Sequence, residues 1–172
     1  MGTQIRLEWG ARIAAVALAM FVGPAAVAAS NSSTVSAITL RPLSLLNLSD
    51  LDFATNISGS TAGTVIINPD NDGRTTTGGV LAAGGTPQAA KFYTYGGPLQ
   101  TIQVFRGPLP VLNRAGGGAT MNVIGLTLNG PTTRFLTAAG LLDLRVGGTL
   151  AIGANQLAGS YSGTFQIIVN YF

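Results

Sequence analysis

The sequence has no cysteine and no histidine, and only 9% of its 172 residues are charged. Each absence closes a class of function. Without His or Cys the chain cannot assemble a Ser-His-Asp or Cys-His nucleophile, and it lacks the thiolates and imidazoles that hold zinc and most transition metals. An enzyme of this composition would have to work with Asp, Tyr, Ser or Lys91 alone, so the expectation is a non-enzymatic protein with no cofactor. Without Cys there is no disulfide either, and the fold rests on packing and hydrogen bonds. The nine Lys and Arg and six Asp and Glu are scattered singly. No basic run marks a nucleic-acid or anionic-membrane surface, and nucleic acid is not expected as a partner.

What the chain does have is 47% hydrophobic residues and 24 glycines. Arg6 and Arg12 precede the apolar stretch 13–22, followed by Gly23-Pro24 and the small residues Ala25, Ala26, Val27, Ala28 and Ala29. A charged start, a short apolar core and an A-x-A site form the pattern of a secretory signal peptide. The apolar stretch is also well short of the ~20 residues that span a bilayer. Residues 1–29 are therefore expected to be removed, leaving residues 30–172 as a single exported domain with no stable membrane insertion. Its expected route is through the periplasm to the cell surface or beyond.

After Ser30 the apolar residues recur with period two in short runs bounded by Gly, Pro, Asn and Asp, the signature of strands. Val65 and Ile67, Phe92 and Thr94, Ile102 and Val104, and Leu142, Leu144 and Val146 each share a face. Pro69-Asp70-Asn71-Asp72-Gly73 supplies the residues of a hairpin turn. Thr77-Gly78-Gly79, residues 83–90, Gly116-Gly117-Gly118, Asn129-Gly130-Pro131 and Gly147-Gly148 read as breaks or loops, and residues 136–142 as one helical turn. The spacing predicts an all-β domain, an immunoglobulin-like β-sandwich of roughly seven to nine strands.

Several residues invite a chemical reading. Asp50, Asp52, Asp70, Asp72 and Asp143 could in principle supply a glycosidase carboxylate pair, but their strand-entrance and turn contexts favour structural roles. Asp70 and Asp72 are candidate calcium ligands, set against a plain Asx-type turn, because the loop is too short for an EF-hand and has no Glu. No glycine run leads into a helix with a Lys, as a phosphate loop requires. Asn31, Asn47 and Asn56 begin N-x-[ST] sequons, which matter only in a glycosylating host. Tyr93, Tyr95, Phe105 and Tyr161 are candidates for a sugar-stacking platform, set against half-buried strand aromatics.

The C-terminus carries a more specific pattern. Tyr171 is penultimate, Phe165, Ile167, Val169 and Tyr171 alternate on one face, and Gly159 is fourteenth from the end. This resembles the C-terminal motif of bacterial chaperone–usher pilins. The resemblance implies a last strand bordering a groove left by a missing strand, with Gly159 opening the turn into that strand. It also implies partners: a periplasmic chaperone fills the groove, then an outer-membrane usher lets a neighbouring subunit's N-terminal strand replace the chaperone, which is β-strand addition. Residues 30–40 are the candidate donor, with Val35, Ile38 and Leu40 as its apolar side chains, before Pro42 interrupts the ladder. The same residues read equally well as the first strand of a complete sandwich.

A second resemblance covers nearly all of the chain after the leader. Arg41-Pro42-Leu43-Ser44-Leu45, Asp50-Leu51-Asp52-Phe53, Gly63-Thr64-Val65, Gln88-Ala89-Ala90-Lys91-Phe92, Val146-Gly147-Gly148-Thr149-Leu150 and Gly159-Ser160-Tyr161-Ser162-Gly163-Thr164-Phe165 are similar, in order and spacing, to the landmarks of a domain-of-unknown-function family. Its members are small exported bacterial proteins like fimbrial subunits and the spore-coat-U type of pilin. Ala54 departs from the family's Gly, and the disulfide common in other pilins is impossible here. Together these readings lead to a pilin-like subunit, open to completion by a donor strand from neighbouring copies or other pilin-like subunits. The alternative is a monomeric secreted module that binds a glycan or calcium.

Overall fold

Period-two alternation becomes eleven strands in the computed structural model, which describes residues 34–172; no helix forms among the described residues. The expected leader and the first residues of the expected donor lie outside them. The strands are β1 Ser44–Ser49, β2 Thr55–Ile67, β3 Arg74–Gly84, β4 Ala90–Tyr95, β5 Thr101–Arg106, β6 Val111–Arg114, β7 Thr120–Leu128, β8 Thr133–Phe135, β9 Leu141–Ile152, β10 Tyr161–Ser162 and β11 Ile167–Tyr171. Every pairing is antiparallel. They form an eight-stranded sheet, in which β1-β4-β9-β7-β6-β10 are neighbours and the β2–β3 hairpin joins through β9, and a three-stranded sheet β11-β5-β8. The fold is an all-β, sandwich-like packing of curled sheets, and no described helix is long and apolar enough to cross a membrane.

Strand β9 organises the larger sheet. One edge pairs with β7; the other pairs with β4 over Leu141–Val146 and then with β2 over Gly148–Ile152. Its inner face carries Leu144, Val146, Leu150 and Ile152, all buried with Val65, Ile67, Ala90, Val104, Val123 and Leu126. The partner change falls at Gly147-Gly148, which the sequence suggests is a break; the structure instead keeps both inside β9. A Cβ on Gly147 would overlap the Ile67 carbonyl oxygen and press on Pro69, and one on Gly148 would meet Leu51 and Phe53. Two strands meeting end to end against a third leave no room for side chains there, so glycine permits close approach rather than ending the strand.

Hairpin β2–β3 is bent double. Extended, β3 would span about 33 Å, yet Arg74 Nη1 at its start donates to the carbonyls of Gly84 (3.1 Å) and Thr55 (2.9 Å) at the far end. The fold-back sits at the register irregularity between Ser58 and Gly63. There Gly78 has φ +63°, and a Cβ on Gly59, Gly63, Gly78 or Gly79 would overlap main-chain oxygens. Gly78-Gly79 is thus a bend inside β3, another departure from the expected break. The remaining expectations divide similarly: residues 68–73 do form the hairpin turn, residues 136–140 form a turn instead of a helical one, and the last strand starts at Ile167, leaving Phe165 outside it.

Arginine is used in one recurring way. Arg74, Arg106, Arg114, Arg134 and Arg145 each donate to a main-chain carbonyl, at 2.9, 2.6, 2.7, 2.6 and 3.2 Å respectively. Arg134 is buried, and burial lowers its pKa. A five-donor guanidinium suits the tying of curled strands where ladder bonds are interrupted. Five of the scattered basic residues are thereby spent on the fold. Replacing Gly147 by Ala is expected to lower the unfolding free energy by about 1–3 kcal/mol, measured by urea denaturation.

Candidate functional site

Among the described residues β1 pairs only with β4, and β11 only with β5. Each therefore has one free edge, with unpaired N–H and C=O groups of the kind that accept another strand. Contacts at either end place the two edges across a gap from one another. At one end the Tyr171 hydroxyl accepts from the Gly97 amide (2.7 Å) and donates to the Arg41 carbonyl (2.7 Å), just before β1 begins. At the other, the Phe165 ring stands edge-on to Phe92, with centroids 6.2 Å apart at 84°, and Phe92 pairs with Asn47 of β1. The end of β11 thus lies by the start of β1, and the two strands run antiparallel on opposite sides of the gap. Leu45, Ile167 and Val169 pack against the core but remain half-buried.

At the Phe165 end the gap opens into a cleft of about 1130 Å³ lined by Asn47, Phe53, Phe92, Leu112, Met121 and Phe165. Three strands cannot cover the inner face of eight, and the irregular segment between β9 and β11 crosses the remainder. That segment is tied by Gln156, whose side-chain amide donates to the Thr120 carbonyl (3.1 Å) and the Tyr161 hydroxyl (2.9 Å).

The residues singled out from sequence divide as follows. Ile167, Val169 and Tyr171 lie on β11 opposite Arg106, Val104 and Ile102, facing inward, while Ile168 and Asn170 are exposed. Phe165 precedes the strand. Gly159, at φ +151° and packed against the Arg114 side chain, leads into β10, which pairs with β6 before the chain reaches β11. Residues 34–43 form no strand; Val35 and Ile38 are 95% and 88% exposed, and Leu40 is 40% exposed. Period two puts Ile38 and Leu40 on one face and Val35 on the other, so a single register presents only two of the three to one groove.

Asp72 is already engaged. Its carboxylate pairs with Arg145 (2.6 Å) and Lys91 (3.8 Å) and accepts from the Ala89 amide (2.7 Å). The hydrogen bond from Arg145 is the main reason its pKa lies below the usual aspartate value, outweighing partial desolvation. Asp70 contributes its main chain, donating from N–H to Asn68 and accepting from Arg145, and among the described residues no cluster of three or more metal-ligating side chains forms. The four candidate sugar-stacking aromatics are dispersed: Tyr93 and Tyr95 stand on the outer face of β4, Phe105 is exposed on β5, and Tyr161 is bonded to Leu157 and Gln156. Sequence reasoning missed Arg41, Leu45, Phe92, Gly96 and Gly97, whose roles come from long-range pairing. Only the R-P-L-S-L and K-F-Y-T-Y runs hinted at them.

Residues 43–171 match the family described as a domain of unknown function (DUF4402). No curated protein and no solved structure matches the chain.

Two outcomes are expected. Phe165→Ala removes one ring of a half-buried pair and should cost about 2 kcal/mol, below the full cost for a buried Phe, measured by denaturant unfolding. A lowered carboxylate pKa stabilises above the unfolded value of 3.8 and stops doing so as pH falls through the folded value. Asp72→Asn should therefore lower Tm at neutral pH and lose that penalty in strong acid, read from melting curves of both proteins across the acid range.

Proposed function

We propose, for a chain that belongs to the DUF4402 family, that it is a non-enzymatic structural subunit of a bacterial surface appendage, assembling by donor-strand complementation. The supporting observation is the pair of free edges on β1 and β11, flanking half-buried Leu45, Phe165, Ile167 and Val169. In this reading the domain is an immunoglobulin-like sandwich lacking one strand, and the occupant of the gap is residues 30–40 of a second copy. Neither the segment nor either strand carries a charged residue, so the pairing has no ionic mismatch to overcome.

The magnitudes favour an extended apolar strand. Burying Ile38 and Leu40 contributes about 1.5–3 kcal/mol each, and each new main-chain bond about 0.5–1.5 kcal/mol. One gap and one donor per copy form a heterologous contact, which propagates into a filament when its rotation does not close. Export through a signal peptide, a periplasmic chaperone that covers the gap and an outer-membrane usher complete the scheme. The alternative, a monomeric binding module, draws support from the cleft at the Phe165 end.

Deleting residues 30–40 separates the readings. The subunit scheme expects a protein that no longer enters fibres in the native host, seen by electron microscopy and sedimentation of sheared surface material. Normal polymerisation of the deletion variant would overturn it.

A further inference from the structure

We infer that the chain is built to keep its own N-terminal segment out of its own open edge, so that only a second copy can close it. This rests on the subunit reading above and concerns the regulation of the same site.

The need follows from chain connectivity. Residues 34–40 run directly into β1, separated from it only by Arg41, Pro42 and Leu43. A reversal over those three residues would lay the segment antiparallel to β1, in the gap of the same molecule. A short tether gives an intramolecular strand an effective concentration in the millimolar range, far above any free subunit. Unless the reversal is opposed, self-closure wins and no fibre grows.

Three features oppose it. The Tyr171 hydroxyl, held by the Gly97 amide at 2.7 Å, grips the Arg41 carbonyl at 2.7 Å and ties the residue before Pro42 to the end of β11. Leu43 is half-buried with Leu136 and Tyr171 against Gly96, where even a Cβ would find Leu43 Cδ1 at 2.9 Å, so no larger residue fits there. Pro42 fixes φ near −65° and biases Arg41 toward extended backbone, whereas tight hairpins need type I′ or II′ turns with positive φ. The tyrosine thus joins both walls of the gap at one end, and the gap stays open toward Phe165. Gly96, Gly97 and the Tyr171 hydroxyl have a positioning role here: they hold the start of the segment.

The test installs a permissive turn and releases the tie. Purified wild type and the variant Pro42→Asn/Leu43→Gly/Tyr171→Phe are melted with and without a synthetic peptide of residues 30–40, and sized by gel filtration. Tyr171→Phe alone, which keeps the ring, is the second variant should the triple one fail to fold. Wild type should rise in Tm with peptide concentration. The released variants should be monomers with a higher peptide-free Tm and a reduced or absent peptide response, a gain lost on adding Ile38→Asp and Leu40→Asp. If the released variants respond to peptide as wild type does, the inference is overturned while the subunit reading stands. It is also overturned if wild type ignores the peptide and loses Tm on Ile38→Asp/Leu40→Asp, since its own segment then already fills the gap. A wild type indifferent to both peptide and substitutions overturns the subunit reading itself, and this inference with it.

Discussion

The structure depends on β9 being paired along both edges with three different strands. That arrangement requires a side-chain-free stretch where β4 gives way to β2, and Gly147-Gly148 supplies it. With β9 fixed, the buried positions of β2, β4 and β7 converge on Val65, Ile67, Leu144, Val146 and Leu150, forming the core. No disulfide reinforces this core. Where the ladders bend or stop, arginine guanidinium groups bond the exposed carbonyls, and the Asp72, Lys91 and Arg145 cluster ties the β2–β3 turn to β4 and β9. Most of the described basic residues therefore act within the fold.

Completeness at the centre contrasts with incompleteness at the margin. The second sheet has three strands against eight, so part of the larger sheet's inner face is left to irregular chain and a cleft. On one side, β1 and β11 face each other antiparallel with unpaired edges and half-buried apolar residues. Natural sheets normally blunt such edges with charge, proline or cover. Here the edge strands SLLNLS and IIVNY contain none of these. An undefended apolar edge is a liability for a monomer and an asset for a subunit that must take up a strand.

Much of the fold was legible because alternation is a local signal. Phe92 and Thr94, Ile102 and Val104, and Ile167, Val169 and Tyr171 declare their faces without knowledge of their partners. Glycine was the main source of error. In sequence Gly78-Gly79 and Gly147-Gly148 look like punctuation, and only the backbone oxygens of Ala62, Thr61 and Ile67 pressing against them reveal strand interiors. The strand count was likewise underestimated, because short β8 and β10 carry too few residues to show a period. At the site, the apolar face of the last strand could be read directly. Its opposite wall on β1 and the tyrosine tie to Arg41 could not, since they join residues 130 positions apart. Gly159 shows the reverse problem: its distance from the C-terminus fits a motif, but the intervening residues are taken up by β10.

The central claim is that the facing edges of β1 and β11 are unpaired in the isolated chain and paired in the assembly. Hydrogen–deuterium exchange on isolated subunit and on fibres tests it most directly. The account predicts fast-exchanging amides within residues 44–49 and 167–171 of the subunit that become protected in the fibre, while β9 is protected in both. Equal protection of those two segments in both states would contradict it.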